Sequence, residues 1–190
     1  MKKKFIEYIS TLTSLTKEEE ELLLADLVIR QFKKGDTLLK EGAFTQDTFL
    51  ILEGCIRRHR LVDGMEKTTG FFTEGDAVAE FVSLSADKPS LHSYSSVEDT
   101  TVVVVNSEKE KEFYKILPRF EEISRLETEK MLGKSQEELS DFIVKSPEER
   151  YIHLTKEKPG LLQRVPQHQI ASYLGVTPES LSRIRKRIMK

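Results

Sequence analysis

Glycine placement constrains this chain more than any other feature. Between Val28 and Val105 glycines fall at 35, 42, 54, 64, 70 and 75 and cut the chain into short runs: "VIRQF", "DTLLKEG", "TFLILEG", "CIRRHRLV", "KTTGFF" and "TTVVVV". Short runs of β-branched and aromatic residues between turn residues predict a small antiparallel barrel or sandwich. Asp63-Gly64 stands between two of them and predicts a tight hairpin turn. After Asn106 the texture changes. Phe113, Ile116, Leu117, Phe120, Ile123, Leu126, Met131, Leu139, Phe142 and Ile143 recur at helical spacing in a charged stretch, so a long helix is expected over 108–145, with Pro118 and Gly133 as points of interruption.

Helix-start chemistry divides the rest. Thr16 with Glu19 makes a capping box ahead of "EELLLADL", so a short helix is expected to open the fold. Ser146 as N-cap, Pro147 at N1 and Glu149 at N3 start a further helix, which Pro159-Gly160 ends. Another begins near Pro166 and runs to Gly175; Thr177 caps the last, with Pro178 at N1 and Glu179 beside the positive end of the dipole. The fold class is α+β: an antiparallel β-roll of jelly-roll or cupin type over 1–118, a long helix over 119–145, and a helix-turn-helix domain over 146–190.

Charge is split between these parts. From Arg164 onward six Lys or Arg face one acid, Glu179, so the stretch carries +5 while the whole chain carries −2; residues 1 to 163 therefore sum to −7. A basic tail on an acidic body suggests a module that meets a polyanion, although cations also suit a helix C-terminus. The longest uncharged apolar run, Thr100 to Ser107, falls far short of the roughly 20 residues a membrane helix needs, and Glu7 interrupts the N-terminal apolar stretch, so a cytoplasmic location is expected. Cys55 is the single cysteine, which excludes an internal disulfide and a self-contained cysteine cluster; it reads as a packed strand residue. His59 and His92 are far apart and form no H-x-H pair, and neither a nucleophile–base constellation nor a phosphate-cradling glycine loop is present. The chain therefore reads as no enzyme, with no metal and no cofactor.

The last two helices carry the strongest functional pattern. Ala171 is small where two helices would meet, Gly175 can take the positive φ of a turn, and Ile170, Leu174, Val176, Leu181 and Ile184 supply the buried faces. This leaves Thr177, Glu179, Ser180, Ser182, Arg183 and Lys186 facing outward on the second helix, where its first half can reach base edges in a major groove. Arg183 suits a guanine and Glu179 a cytosine amino group, and the two stand one turn apart, close enough to hold each other. Base reading is assigned to Glu179, Ser180, Ser182 and Arg183. Phosphate contact is assigned to Gln167, His168, Gln169, Thr177, Arg185, Lys186, Arg187 and Lys190.

With β-roll, long helix and C-terminal reader in that order, the chain resembles the family of the cyclic-AMP receptor protein and the fumarate-nitrate regulator. The resemblance rests on "FKKGDTLLKEG", "DTFLILEGCI" and "GFFTEGDAVAEF", and on "QIASYLGVTPESLSRIRKRI". It implies a cyclic-nucleotide-binding-like β-roll and a homodimeric transcription regulator that binds double-stranded DNA with two-fold-related half-sites, with RNA polymerase a further partner. "ESLSR" looks like the reading helix of the fumarate-nitrate branch; the cyclic-AMP branch has an additional arginine where this chain has Pro178. In cyclic-nucleotide-binding members a Gly-Glu pair binds the ribose and an arginine some ten residues later clamps the cyclic phosphate. Here the pair is Ala79-Glu80, and Ser90-Leu91 stand at the second element. Gly75, Ala79, Glu80, Lys88, Ser90 and Leu91 are thus the candidate pocket for an unknown effector, and Lys88 lacks a guanidinium fork. Phe120, Ile123, Leu126, Glu127 and Lys130 form the expected dimer seam, without a strict heptad. The competing reading is a ligand-sensing β-roll whose basic tail binds protein or RNA.

Overall fold

The structure, a computed structural model, describes residues 1–86 and 88–188. Two compact units emerge, Met1–Arg58 with Phe71–Leu126, and His59–Gly70 with the residues from Glu127 on. The first opens with α1 (Lys2–Leu12) and α2 (Lys17–Ala25) and continues through β1 (Val28–Phe32), β2 (Thr37–Leu39), β3 (Asp47–Glu53) and β4 (Ile56–Val62). Then follow β5 (Met65–Phe72), β6 (Ala77–Val78), α3 (Phe81–Ala86), β7 (Ser93–Ser96), β8 (Thr100–Asn106) and α4 (Ser107–Ile116). The strands form two four-stranded sheets, ordered β1-β8-β3-β6 and β2-β7-β4-β5. Pairings β1–β8, β3–β8, β3–β6 and β2–β7 are antiparallel.

The sequence "TFLILE" shows why its strand is apolar throughout. Phe49 and Ile51 point into a core shared with Leu39, Ile56, Val78, Tyr94 and Val102. Their neighbours Leu50 and Leu52 point to the opposite face, where Phe5, Val103 and the partly buried Ile6, Ile9, Leu23 and Leu24 receive them. Alternate residues of a strand serve opposite faces, so a sheet covered on both sides loses the alternation of an exposed one. Helices α1 and α2 are that second cover. The Thr16–Glu19 capping box is formed, but α1 was not expected from the sequence, where Glu7 and the leading lysines obscure the stripe of Phe5, Ile6 and Ile9. Helix α3 is likewise an insertion into what reads as a strand region.

Turns carry the remaining specification. "KKGD" and "TEGD" are built alike: Lys33 N–H donates to Asp36 and Thr73 N–H to Asp76, while Gly35 and Gly75 donate to Ser96 O and Ile51 O on the neighbouring strands. Gly54 is sterically enforced. Its φ is +103°, and a Cβ there would sit 2.4 Å from Thr100 Oγ1 and 2.6 Å from Thr100 Cα. Cys55, expected within a strand, instead lies fully buried in the connection between β3 and β4.

The expected long helix is two. It breaks at Leu117-Pro118, because proline offers no N–H to the preceding turn, and continues as α5 (Arg119–Val144) straight through Gly133. The second unit contains the outer part of the β4–β5 hairpin, whose Asp63 and Gly64 both take positive φ (51° and 74°), as a two-residue hairpin turn demands. It adds α6 (Pro147–Glu157), α7 (Leu161–Arg164), α8 (Gln167–Tyr173) and α9 (Pro178–Ile188). The Ser146–Glu149 capping box is formed as expected. Tyr151, Leu154, Leu161, Val165, Ile170, Ala171, Leu174, Leu181 and Ile184 are the buried core of these helices. Thr68 N–H on β5 donates to Ser172 Oγ on α8 at 3.0 Å. No helix among the described residues is long and apolar enough to cross a membrane.

Candidate functional site

Three places hold the residues singled out in the sequence. The first is helix α9 with its turn. Ala171 is fully buried between the helices, and Gly175 adopts φ +69°. Val176 N–H then closes the turn on Ala171 O at 2.9 Å. Leu181 and Ile184 face inward; Glu179, Ser182, Arg183, Lys186 and Arg187 are exposed. The helix therefore presents one face of small polar and cationic groups to solvent, starting at its first turn.

The local chemistry differs in detail from the expectation. Thr177 Oγ1 accepts from Ser180 N–H at 3.3 Å and lies 3.3 Å from Ser180 Oγ, so Thr177 is engaged in capping. Arg183 donates to Ser180 Oγ at 3.0 Å, so its hydrogen-bond partner is Ser180, one turn back, and not Glu179. The Glu179 carboxyl is held below the usual carboxylate range chiefly by its own backbone N–H, then by the Thr177 hydroxyl, with Arg183 contributing least. Arg187 pairs with Glu148 on α6 at 2.7 Å, and its side chain remains open to solvent. Arg185 is half-buried beside Tyr151, Gln167 and Leu181, whereas Lys186 is open to solvent. At the start of α8, Gln167 and His168 are exposed, but Gln169 is half-buried with its side-chain carbonyl oxygen unpaired. Lys190 lies outside the described residues.

The second place surrounds Glu80, at the entry to α3. Its side chain is buried, and one oxygen, Oε2, gathers three side chains: Ser90 Oγ at 3.2 Å, His92 Nδ1 at 3.1 Å and Tyr94 OH at 3.0 Å. Ser90 also lies 2.7 Å from His92 O and accepts from His92 N–H, which fixes the hairpin-like turn that carries both. Burial pushes the Tyr94 hydroxyl well above its ordinary range; Arg58 beside it opposes the shift and Glu80 reinforces it, so Tyr94 stays protonated and donates. Arg58 reaches Tyr94 from β4 and lies over the Phe72 ring, 5.6 Å from its centroid. Of the expected pocket residues, Glu80 and Ser90 meet. Lys88 and Leu91 are exposed, Ala79 is half-buried, and Gly75 belongs to the "TEGD" turn. His92, Tyr94 and Arg58 were missed, because only the turn after α3 and the pairing of β7 bring them to Glu80. Among the described residues no group of three or more His, Cys, Asp or Glu could hold a metal ion.

Residues 29–116 match the family described as Cyclic nucleotide-binding domain. The strand-rich unit has that domain's fold. Among solved structures the chain is similar to FixK2 from Bradyrhizobium japonicum, with 17% identity, TM-score 0.72, and coverage of 86% of this chain and 84% of that one. It is similar to the c-di-GMP-responsive global regulator CLP of Xanthomonas campestris, with 15% identity, TM-score 0.68 and 89% of both chains covered. The catabolite activator protein of Thermus thermophilus shares 22% identity at TM-score 0.57, covering 93% of this chain and 84% of that one. At such identities the likeness is one of fold, and its coverage extends beyond the strand-rich unit into the helices after it. No curated protein matches the chain in sequence.

Helix α5 holds the expected dimer seam, and its residues are unequal. Phe120 is buried within its own chain, edge-on to Phe113 at 5.3 Å between ring centroids, so it is withdrawn from the surface. Ile123 is half-buried, Leu126 is exposed, and Glu127 lies 3.6 Å from Lys130. An exposed apolar stripe lies further along, at Leu132, Leu139 (63% exposed), Phe142 and Ile143 (74%), and Val144 is exposed on another side of the helix.

Proposed function

We propose that this chain is a homodimeric, sequence-specific DNA-binding transcription regulator of the cyclic-AMP receptor and fumarate-nitrate regulator type, whose effector is not cyclic AMP. The carrying observation is α9: an amphipathic helix behind a left-handed glycine turn, inward at Leu181 and Ile184 and outward at Glu179, Ser182, Arg183 and Lys186. In this reading Arg183 and Glu179 contact base edges, and Lys186 together with Arg185 anchors phosphate. The likeness in fold to a catabolite activator protein and to a global regulator of gene expression supports it.

The exposed stripe of α5 supports the dimer. Leu132 and Leu139 stand seven residues apart, with Phe142 and Ile143 following, and an apolar helix face of this kind is ordinarily covered. Leu126, about 120° around the helix from Leu132, lies off this face, and Phe120 is buried within its own chain. The effector reading rests on Glu80. An oxygen already within hydrogen-bond distance of Ser90 Oγ, His92 Nδ1 and Tyr94 OH offers little to a ribose hydroxyl, and Ser90, in place of a phosphate-clamping arginine, is turned inward toward that same oxygen.

Selection of random duplex DNA by the purified protein, with sedimentation and calorimetry, tests all three parts. The expected product is a site with two-fold-related half-sites about 10 to 10.5 base pairs apart, centre to centre, bound by two chains. Binding one chain per site would remove the dimer. A low-micromolar affinity for cyclic AMP with DNA binding dependent on it would remove the effector reading, and Arg58 would then be the clamp to test.

A further inference from the structure

Arg150 on α6 contacts more backbone than its place on an ordinary helix requires. Its guanidinium donates to Phe142 O at 2.8 Å and Lys145 O at 2.7 Å, both at the end of α5, and to Leu174 O at 2.8 Å, at the end of α8. It also lies over the Phe142 ring, with Cζ 4.4 Å from the centroid. The next residue after Leu174 is Gly175, where a Cβ would come within 3.3 Å of Phe142 Cζ and 3.7 Å of Arg150 Nη2. Helix C-termini leave carbonyls without intrahelical partners, at the negative end of the dipole. One side chain thus closes such acceptors on two helices at once, and the glycine turn is packed against the same two groups.

We propose that Arg150 is a positioning residue that fixes the angle between α5 and the α8–α9 pair. Because α5 is the proposed dimer helix, this angle sets how far apart the two reading helices stand. The inference rests on the reading of the chain as a dimeric DNA reader for its consequence, but not for its geometry. The forked planar guanidinium is required: three carbonyls in different directions and a ring face cannot be served together by the compact ammonium of lysine.

The test compares wild type with Arg150→Lys and Arg150→Ala in two measurements. Spin labels at Gln136→Cys and Ile188→Cys, in dimers diluted with unlabelled chain, report the distance from α5 to α9; the native Cys55 is buried and does not compete for label. A duplex series with half-site separations altered by one and two base pairs reports spacing discrimination, and a single half-site reports the reader alone. Wild type is expected to show a narrow distance distribution and a preference of about tenfold for one separation, a factor equivalent to about 1.4 kcal/mol. Arg150→Lys should widen the distribution and flatten that preference, leaving single half-site affinity within about twofold. An unchanged distribution in Arg150→Lys overturns the proposal. So does loss of single half-site binding together with spacing preference, since Arg150 would then act by keeping the reader folded. Failure of wild type to bind any duplex would sink the regulator reading instead, and the distance measurement would still judge the clamp.

Discussion

Glu80 and Glu179 are both glutamates near the start of a helix, and the chain uses them in opposite ways. Glu80 is turned into the strand-rich unit, where Ser90, His92 and Tyr94 converge on one of its oxygens. Glu179 is exposed, and its neighbours are its own amide, Thr177 and, more weakly, Arg183. A buried carboxylate must be satisfied from within, so its surroundings are committed to structure; an exposed one keeps acceptor capacity for a partner. The same contrast separates Arg150, bound to three carbonyls, from Lys186, open to solvent.

The largest effect is expected on the inward side. Glu80→Ala leaves the hydroxyls of Ser90 and Tyr94 and the His92 ring without their common acceptor in a buried place, and should cost about 3–4 kcal/mol of unfolding free energy. Glu80→Gln, which keeps one carbonyl oxygen, should cost less. Chemical denaturation checks both. A loss below about 1 kcal/mol for the alanine variant would show that the cluster is open enough for water to replace the carboxylate, and would restore Glu80 as a ligand-binding group.

The outward side should respond in binding and not in stability. Arg183→Ala is expected to lose about 1–3 kcal/mol on the selected site and to relax discrimination at one G·C pair in each half-site. Lys186→Ala should weaken all duplexes alike and lower the salt slope by about one unit. Equal losses on specific and random duplexes for the two variants would mean that α9 lies along the backbone and does not read bases.

What the sequence made legible follows the same division. Both capping boxes, the Asp63-Gly64 turn and the α8–α9 pair were readable because their partners lie within a few residues: Thr16 and Glu19, Ser146 and Glu149, Ala171 and Val176. The Glu80 cluster was only half readable. Glu80 and Ser90 stood out, but His92 looked like an isolated histidine until the turn after α3 brought it round. Arg150 gave no signal, since its carbonyl partners at 142, 145 and 174 have no side-chain identity to read. Phe120, expected on the dimer seam, is buried against Phe113 in its own chain, a contact that helical spacing alone does not foretell.

The smallest expected effect is the pH response of Glu179, and it sharpens the contrast with Glu80 most directly. Its folded pKa lies below the ordinary carboxylate value, chiefly through the hydrogen bond from its own amide and then that from Thr177. A lowered folded pKa means the contribution is present above the unfolded value, about 4.3, and is lost as pH falls through the folded one. The amides in the first turn of α9 should therefore shift and exchange faster only below about pH 4, with little change in global stability, because the group is exposed. Glu179→Gln should abolish that local step without touching the Glu80 cluster. Amide-resolved titration of the two proteins decides it: a step that persists in Glu179→Gln belongs to another carboxylate, and the capping geometry assigned to Thr177 and Glu179 would be wrong.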